Sequence, residues 1–325
     1  MTRFGTTRWL AGVATAMLLP MTAHAQDEIR TTHDGLQGEL AGTVQGTLSG
    51  DGPVVLIHPG SGPTDRDGNS PLGVTGSTYR LLAEGLEARG ISSVRIDKRG
   101  MFESAAAWPN ANDVTVEAYA QDIAAWADTI TQQGGAECVW LLGHSEGGMH
   151  VLAAANADPA RYCGVLLVAS VGRPLSETIR DQIAYAPGAA PLLPQVDDIM
   201  ARITAGETVP ASEMHPGLTG LFGPQVQPFL TSLFNNNPAQ LVAALEMPVL
   251  ILNGREDLQT TEDDALALAE AQPDARLILL DATNHLLKEV PEGDRAANLA
   301  TYANPDLPLN PAAIDAIADF VLEER

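Results

Sequence analysis

Between residues 54 and 169, short continuous apolar runs alternate with segments of helical period, and few folds accommodate that alternation. Val54, Val55, Leu56 and Ile57 form the first run, and others lie at 91–96, 138–143 and 164–169. Unbroken runs of this length fit strands buried on both faces, as in a parallel sheet. Between the first two runs, Leu81, Leu82 and Leu86 share one face of a helix over 78–88 that Gly90 ends. Val116, Tyr119, Ala120, Ile123, Ala127 and Ile130 mark the next helix, which Asp113 or Thr115 can cap and Gly134 and Gly135 stop. A helix over 147–157 precedes the fourth run. The alternation predicts an α/β fold, with a mostly parallel central sheet and helices on both faces.

The flanks extend this core. The polar, Gly-rich stretch 27–52, with Leu40, Val44 and Leu48, predicts a first antiparallel strand pair. A long polar loop is expected over 60–76. From 173 to 246 the chain is richer in Pro and Gly, with short helical stretches around 176–185 and 226–246, and predicts an inserted helical cap. The core resumes with a strand at 248–252, a helix at 262–271, a strand at 276–280 and a last helix faced by Ile314, Ile317, Phe320 and Val321. The expected core is thus 26–172 and 247–325, around a cap at 173–246. With 325 residues and 45% apolar content, one domain carrying an insertion is the natural reading.

The first residues read as an address rather than as structure. Arg3 and Arg8 give a basic start, residues 9–21 are mostly apolar but too short to span a bilayer, and Ala23-His24-Ala25 is a small-x-small cleavage pattern. A signal peptide cut after Ala25 is expected, leaving a periplasmic or secreted protein with no stable membrane association. The formal net charge of -23 gives a surface that repels phosphate backbones, so nucleic acid is not an expected partner. Cys138 and Cys163 stand before neighbouring apolar runs. If those runs are adjacent parallel strands, both cysteines lie at one end of the sheet, where an oxidising compartment permits a disulfide; two buried thiols are the other reading.

Gly143-His144-Ser145-Glu146-Gly147 matches G-x-S-x-G between a strand and a helix. A serine at such a turn projects its hydroxyl above the carboxyl end of the sheet, and the backbone N–H groups opening the helix suit a developing oxyanion. Ser145 is the expected nucleophile. It needs a base, and His285, after the last strand, is the histidine placed to reach it. His33, His58, His150 and His215 lie elsewhere, and His144 belongs to the turn itself. The acid that orients the base should follow strand 248–252. Asp257 is the expected residue, with Glu256 its nearest rival and Asp281 behind. An oxyanion site needs two N–H donors: Glu146 supplies one, and the loop His58-Pro59-Gly60-Ser61-Gly62 the other. Pro59 has no N–H, which leaves Gly60 or Ser61, and Ser61 is preferred.

These residues resemble the α/β-hydrolase superfamily over nearly the whole chain after the leader. They are most similar to the bacterial esterase-like branch related to the serine aminopeptidase-type hydrolases. The resemblance is carried by residues 60–69 (Gly-Ser-Gly-Pro-Thr-Asp-Arg-Asp-Gly-Asn), by Asp97-Lys98-Arg99-Gly100 and by the Gly-His-Ser-Glu-Gly turn. Asp257-Leu258-Gln259 and Asn284-His285-Leu286-Leu287-Lys288 complete it. It implies the α/β-hydrolase fold and carboxylesterase-like action on a small-molecule ester, with no metal and no cofactor. It favours Asp257 over Glu256. Family members often continue Asp-Lys-Arg-Gly with a further glycine and a serine, whereas Met101-Phe102-Glu103-Ser104 follow here. Asp65-Arg66-Asp67 reads either as a site-rim loop held by an ion pair or as loop architecture alone. A peptidase, an amidase or a thioesterase would use the same residues, and a non-catalytic binding protein could use the same scaffold.

Overall fold

The apolar runs build one eight-stranded sheet in a computed structural model that describes residues 27–48, 50, 52–186 and 188–324. The leader expected over 1–25 lies outside the described residues. The strands are β1 (Asp27–Thr31), β2 (Leu40–Gln45), β3 (Val54–His58), β4 (Ser92–Ile96), β5 (Val139–His144), β6 (Tyr162–Val168), β7 (Val249–Gly254) and β8 (Arg276–Leu280). Their spatial order is β1-β2-β4-β3-β5-β6-β7-β8. β1 and β2 form the expected antiparallel pair, β2 meets β4 antiparallel, and every later pairing is parallel.

The helices are α1 (Thr78–Glu87), α2 (Val116–Gly134), α3 (Gly147–Ala157), α4 (Leu175–Ala184), α5 (Leu193–Thr204), α6 (Thr219–Phe222), α7 (Gln227–Phe234), α8 (Pro238–Ala243), α9 (Glu262–Ala271), α10 (Arg295–Ala300) and α11 (Pro311–Glu323). Successive strand residues point to opposite faces. Accordingly Val54 and Leu56 pack with Ile123 and Trp126 of α2, Val151 of α3 and Leu268 of α9. Val55 and Ile57 pack with Leu82 and Leu86 of α1 and Ile317 and Phe320 of α11. The central strands are therefore covered on both faces.

The cap stretch divides. Apolar residues from Leu175 to Phe234 close on their own cluster above Val116, Met149 and Val171. Val242 of α8 and Leu245 instead join the cluster beneath the sheet, so the chain re-enters the core before the expected boundary at 246. Helix α5 had no counterpart in the sequence reading.

Strand order reverses at β3. The chain passes from β3 through α1 to β4 on one side, then through α2 to β5 on the other. Ligands of open α/β sheets bind at such a switch point, beyond the carboxyl ends of the strands. At the opposite end, Cys138 and Cys163 are joined by a disulfide with Cα atoms 5.3 Å apart. Closing a loop with a sequence separation of 25 stabilises the folded state by about 3.5 kcal/mol in the chain-entropy account.

Candidate active site

β5 ends in a turn whose tip is Ser145, at φ 56, a left-handed conformation that non-glycine residues rarely adopt. Two glycines make the turn possible. A Cβ on Gly143 would lie 2.6 Å from the Gly147 carbonyl oxygen, and one on Gly147 would lie 2.6 Å from that of Pro59. The turn therefore packs against itself and against the loop after β3. The Ser145 N–H donates to the Val168 carbonyl at 3.1 Å, and the Ser145 carbonyl accepts from Gly148 N–H at 3.1 Å, which pins the residue to β6 and to α3.

The candidate base and acid arrive on the loops after β8 and β7. His285 Nδ1 lies 2.7 Å from Asp257 Oδ2, and both side chains are almost fully buried. Asp257 Oδ1 accepts the N–H groups of Gln259 at 2.7 Å and Thr260 at 3.0 Å. Thr260 Oγ1 sits 2.9 Å from Asp257 Oδ2 and 2.8 Å from the Ala169 carbonyl. The rivals face elsewhere: Glu256 accepts the Gly293 N–H at 3.0 Å, and Asp281 is exposed and paired with Arg255 at 2.9 Å. Ser145 and His285 line one cavity, with no hydrogen bond between them among the described residues. Contacts of this kind commonly tighten only around a substrate.

Backbone accounting separates the two candidate donors in the loop after β3. The Gly60 N–H donates to Tyr79 Oη at 3.0 Å and is spent. Among the described residues, the N–H groups of Ser61 and Glu146 donate to no protein acceptor. Both residues line the cleft beside Ser145.

Tyr79 and His144 extend the site in a way their spacing did not signal. His144 Nε2 lies 2.9 Å from the His285 carbonyl, and His144 Nδ1 lies 2.9 Å from Tyr79 Oη. A carbonyl only accepts, so Nε2 carries the proton and Nδ1 accepts from the tyrosine hydroxyl. One directed chain thus runs from the Gly60 N–H through Tyr79 and His144 to the His285 backbone. Thr260 was also missed; its only sequence signal is its place three residues after Asp257.

The remaining histidines have other tasks. His33 pairs with Asp122 at 2.9 Å, His215 accepts the Gly217 N–H, and His58 and His150 meet edge to face with ring centres 5.0 Å apart beside Tyr119. Burial pushes His58 and His144 down to about 3, and His150 well below the ordinary imidazole value. The unfolded chain takes up these protons near pH 6.5 and the folded chain refuses them. This stability is present above that pH and is lost as pH falls toward 3, at up to about 1.4 kcal/mol per histidine per pH unit. Asp97 and Glu146, raised by burial, and His33, raised by its hydrogen bond to Asp122, act in the opposite sense, and the three deeply buried imidazoles outweigh them in the upper part of the window. The urea midpoint is expected to be lower at pH 5.5 than at pH 7.5; equal midpoints would contradict buried neutral imidazoles.

Two cavities meet at Ser145. The outer one, about 230 Å³, is bordered by His285, Leu286, Tyr302 and Leu72. The other, about 240 Å³, runs beneath the cap and is walled by Leu175, Ile179, Leu221, Phe229 and Leu233. Phe222 and Phe234 pack inside the cap. The 65–67 segment holds loop architecture. Arg66 bonds Asp97 and Thr43, Asp67 pairs with the buried Arg95 at 3.1 Å, and Asp65 accepts two N–H groups of its own turn.

Known proteins resemble this chain in fold and, more distantly, in sequence. The family model described as serine aminopeptidase, S33, matches residues 72–289, a span that includes Ser145, Asp257 and His285. Esterase EstD of Thermotoga maritima is 28% identical over 270 residues, covering 80% of this chain and 60% of that protein. The chain thus spans about three-fifths of that relative's length. Among solved structures, the α/β hydrolase GrgF of a Penicillium species is 19% identical, with a TM-score of 0.59 over 92% of this chain and 99% of that one. A malate-bound esterase of Thermogutta terrifontis is also 19% identical, with a TM-score of 0.56 and the same coverages. At such identities the likeness concerns the fold. The chain has the α/β-hydrolase fold and belongs to the serine aminopeptidase, S33, family.

Proposed function

We propose that the protein is a serine hydrolase that cleaves small carboxylic esters through an acyl-enzyme. One observation carries the reading: His285, held by Asp257 at 2.7 Å, borders the same cavity as Ser145 and Ser61. In this account Ser145 Oγ attacks the ester carbonyl while His285 Nε2 takes its proton, and Asp257 stabilises the imidazolium without becoming protonated. The Ser61 and Glu146 N–H groups receive the oxyanion. The alcohol leaves with the proton from His285, and water then releases the acid by the same steps.

The two cavities divide the substrate. His285 must protonate the leaving oxygen, and it lines the outer cavity but not the one beneath the cap. The alcohol therefore departs through the outer cavity, and the acyl group occupies the apolar one. Export through the leader belongs to the same reading, and the Cys138–Cys163 disulfide supports it, because such bonds persist in oxidising compartments.

The esterase name of the Thermotoga maritima relative supports an ester over an amide, and parallel assays test the choice. p-Nitrophenyl butyrate is expected to turn over with kcat/KM at least about a hundredfold above that of alanine p-nitroanilide. Comparable values for the two, or turnover of the anilide alone, would replace the esterase reading with a peptidase.

A further inference from the structure

Asp97, Lys98 and Arg99 follow β4, next to the loop after β3, and their side chains go three ways. Asp97 accepts the Arg66 N–H at 2.9 Å and the Arg66 Nε–H at 3.0 Å. Arg99 bonds Asp122 of α2 at 2.7 and 2.6 Å and the Ala118 carbonyl at 2.8 Å. Lys98, one of only two lysines in the chain, is 2% exposed and donates through Nζ to the Gly60 carbonyl at 2.5 Å. The first and third tie loops to the core. The second reaches the peptide bond that the proposed chemistry depends on.

We propose that Lys98 is the positioning residue of the oxyanion site: its ammonium holds the Gly60 carbonyl and so aims the Ser61 N–H at the substrate oxygen. This inference rests on the hydrolase reading above. The Gly60 carbonyl and the Ser61 N–H belong to one planar trans peptide and point in opposite directions. Fixing the carbonyl on Lys98 therefore fixes the N–H on the other side. The preceding peptide is clamped independently, its N–H spent on Tyr79 Oη, so the segment has no freedom to present the wrong group. A cation on the carbonyl also draws electron density from the N–H, which strengthens a charge-assisted bond to an oxyanion.

The surroundings keep the ammonium on this task. Around Lys98 lie the Glu146 carboxyl, the imidazoles of His58 and His150, and the Tyr119 ring with Nζ 5.8 Å from its centre. Burial lowers the Lys98 pKa below that of an ordinary lysine, with Glu146 pulling the other way. The imidazoles are neutral at working pH, and burial raises the tyrosine further. As pH rises, Lys98 therefore loses its proton before Tyr119 does.

The test compares wild type with Lys98→Met, which keeps the stem and removes the charge. For p-nitrophenyl butyrate, kcat per titrated active site is expected to fall by about a hundredfold, the order seen when an oxyanion donor is lost, with KM nearly unchanged. The affinity for an aryl trifluoromethyl ketone, whose adduct carries the oxyanion, should fall by a similar factor. Unchanged kcat per active site and unchanged ketone affinity would overturn the proposal, even with a lowered melting temperature, since that pattern marks a structural lysine. Should the variant fail to fold, the wild-type pH profile decides. With the fold intact by circular dichroism, kcat must decline before pH 10.5, and a plateau through that pH overturns the proposal. A wild type inactive on every ester would refute the underlying hydrolase reading instead, before Lys98 is in question.

Discussion

Ser145→Ala is expected to lower kcat for p-nitrophenyl butyrate by on the order of 10⁴ to 10⁶ while leaving the fold intact. The size follows from how a nucleophile and its base act together. Without the hydroxyl, His285 has no proton to take and no acyl-enzyme forms, so only oxyanion stabilisation and binding remain. The fold should survive because the turn is held by backbone bonds, from Ser145 N–H to Val168 and from Gly148 N–H to Ser145. Alanine retains both, and it bears the same left-handed backbone at φ 56. A variant retaining a tenth of wild-type kcat would remove Ser145 from the mechanism. Melting curves of the two proteins, expected to lie close together, separate loss of chemistry from loss of structure.

Asp257→Asn should cost about 10³- to 10⁴-fold in kcat, and the hydrogen bonds say why. Oδ1 accepts two backbone N–H groups, from Gln259 and Thr260, so the asparagine oxygen must occupy that position. Its NH₂ then falls where Oδ2 stood, 2.7 Å from His285 Nδ1. An amide donor there forces Nδ1 to accept and moves the imidazole proton to Nε2, the atom that must receive the serine proton. The wrong tautomer is thus imposed with almost no change in shape. Kinetics of the variant test this, with an expected KM close to wild type. Retention of more than about a tenth of kcat would show that Asp257 does not set the tautomer and would reopen the choice of acid.

The sheet was legible because parallel strands buried on both faces leave unmistakable runs. Val54 to Ile57 and the run after Pro248 became β3 and β7 with boundaries shifted by a residue or two. The strand read from 164 begins earlier, at Tyr162, across a register shift between Val139 and Trp140 that no local pattern announces. Helix α5 escaped because it lies in a stretch read as rich in Pro and Gly, and Pro194 stands in its first turn. Proline is tolerated in a first helical turn, and the apolar face of Val196, Ile199, Met200 and Ile203 lies behind it.

The candidates Ser145, His285 and Asp257 could be proposed from sequence because each follows a strand, and strand ends converge at the carboxyl edge of the sheet. Tyr79, His144, Thr260 and Lys98 could not be found that way. Tyr79 is a buried position on α1, and only the fold brings its hydroxyl to His144, 65 residues later. Lys98 stood in a recognised motif, but its partner is a backbone carbonyl, which has no signature in side-chain spacing.

The most direct measurement is covalent labelling of the wild-type protein with a fluorophosphonate, followed by peptide mass mapping. One adduct is expected, on the peptide carrying Ser145, absent from Ser145→Ala. An unlabelled protein that is folded, or an adduct on any other residue, would contradict the proposed nucleophile.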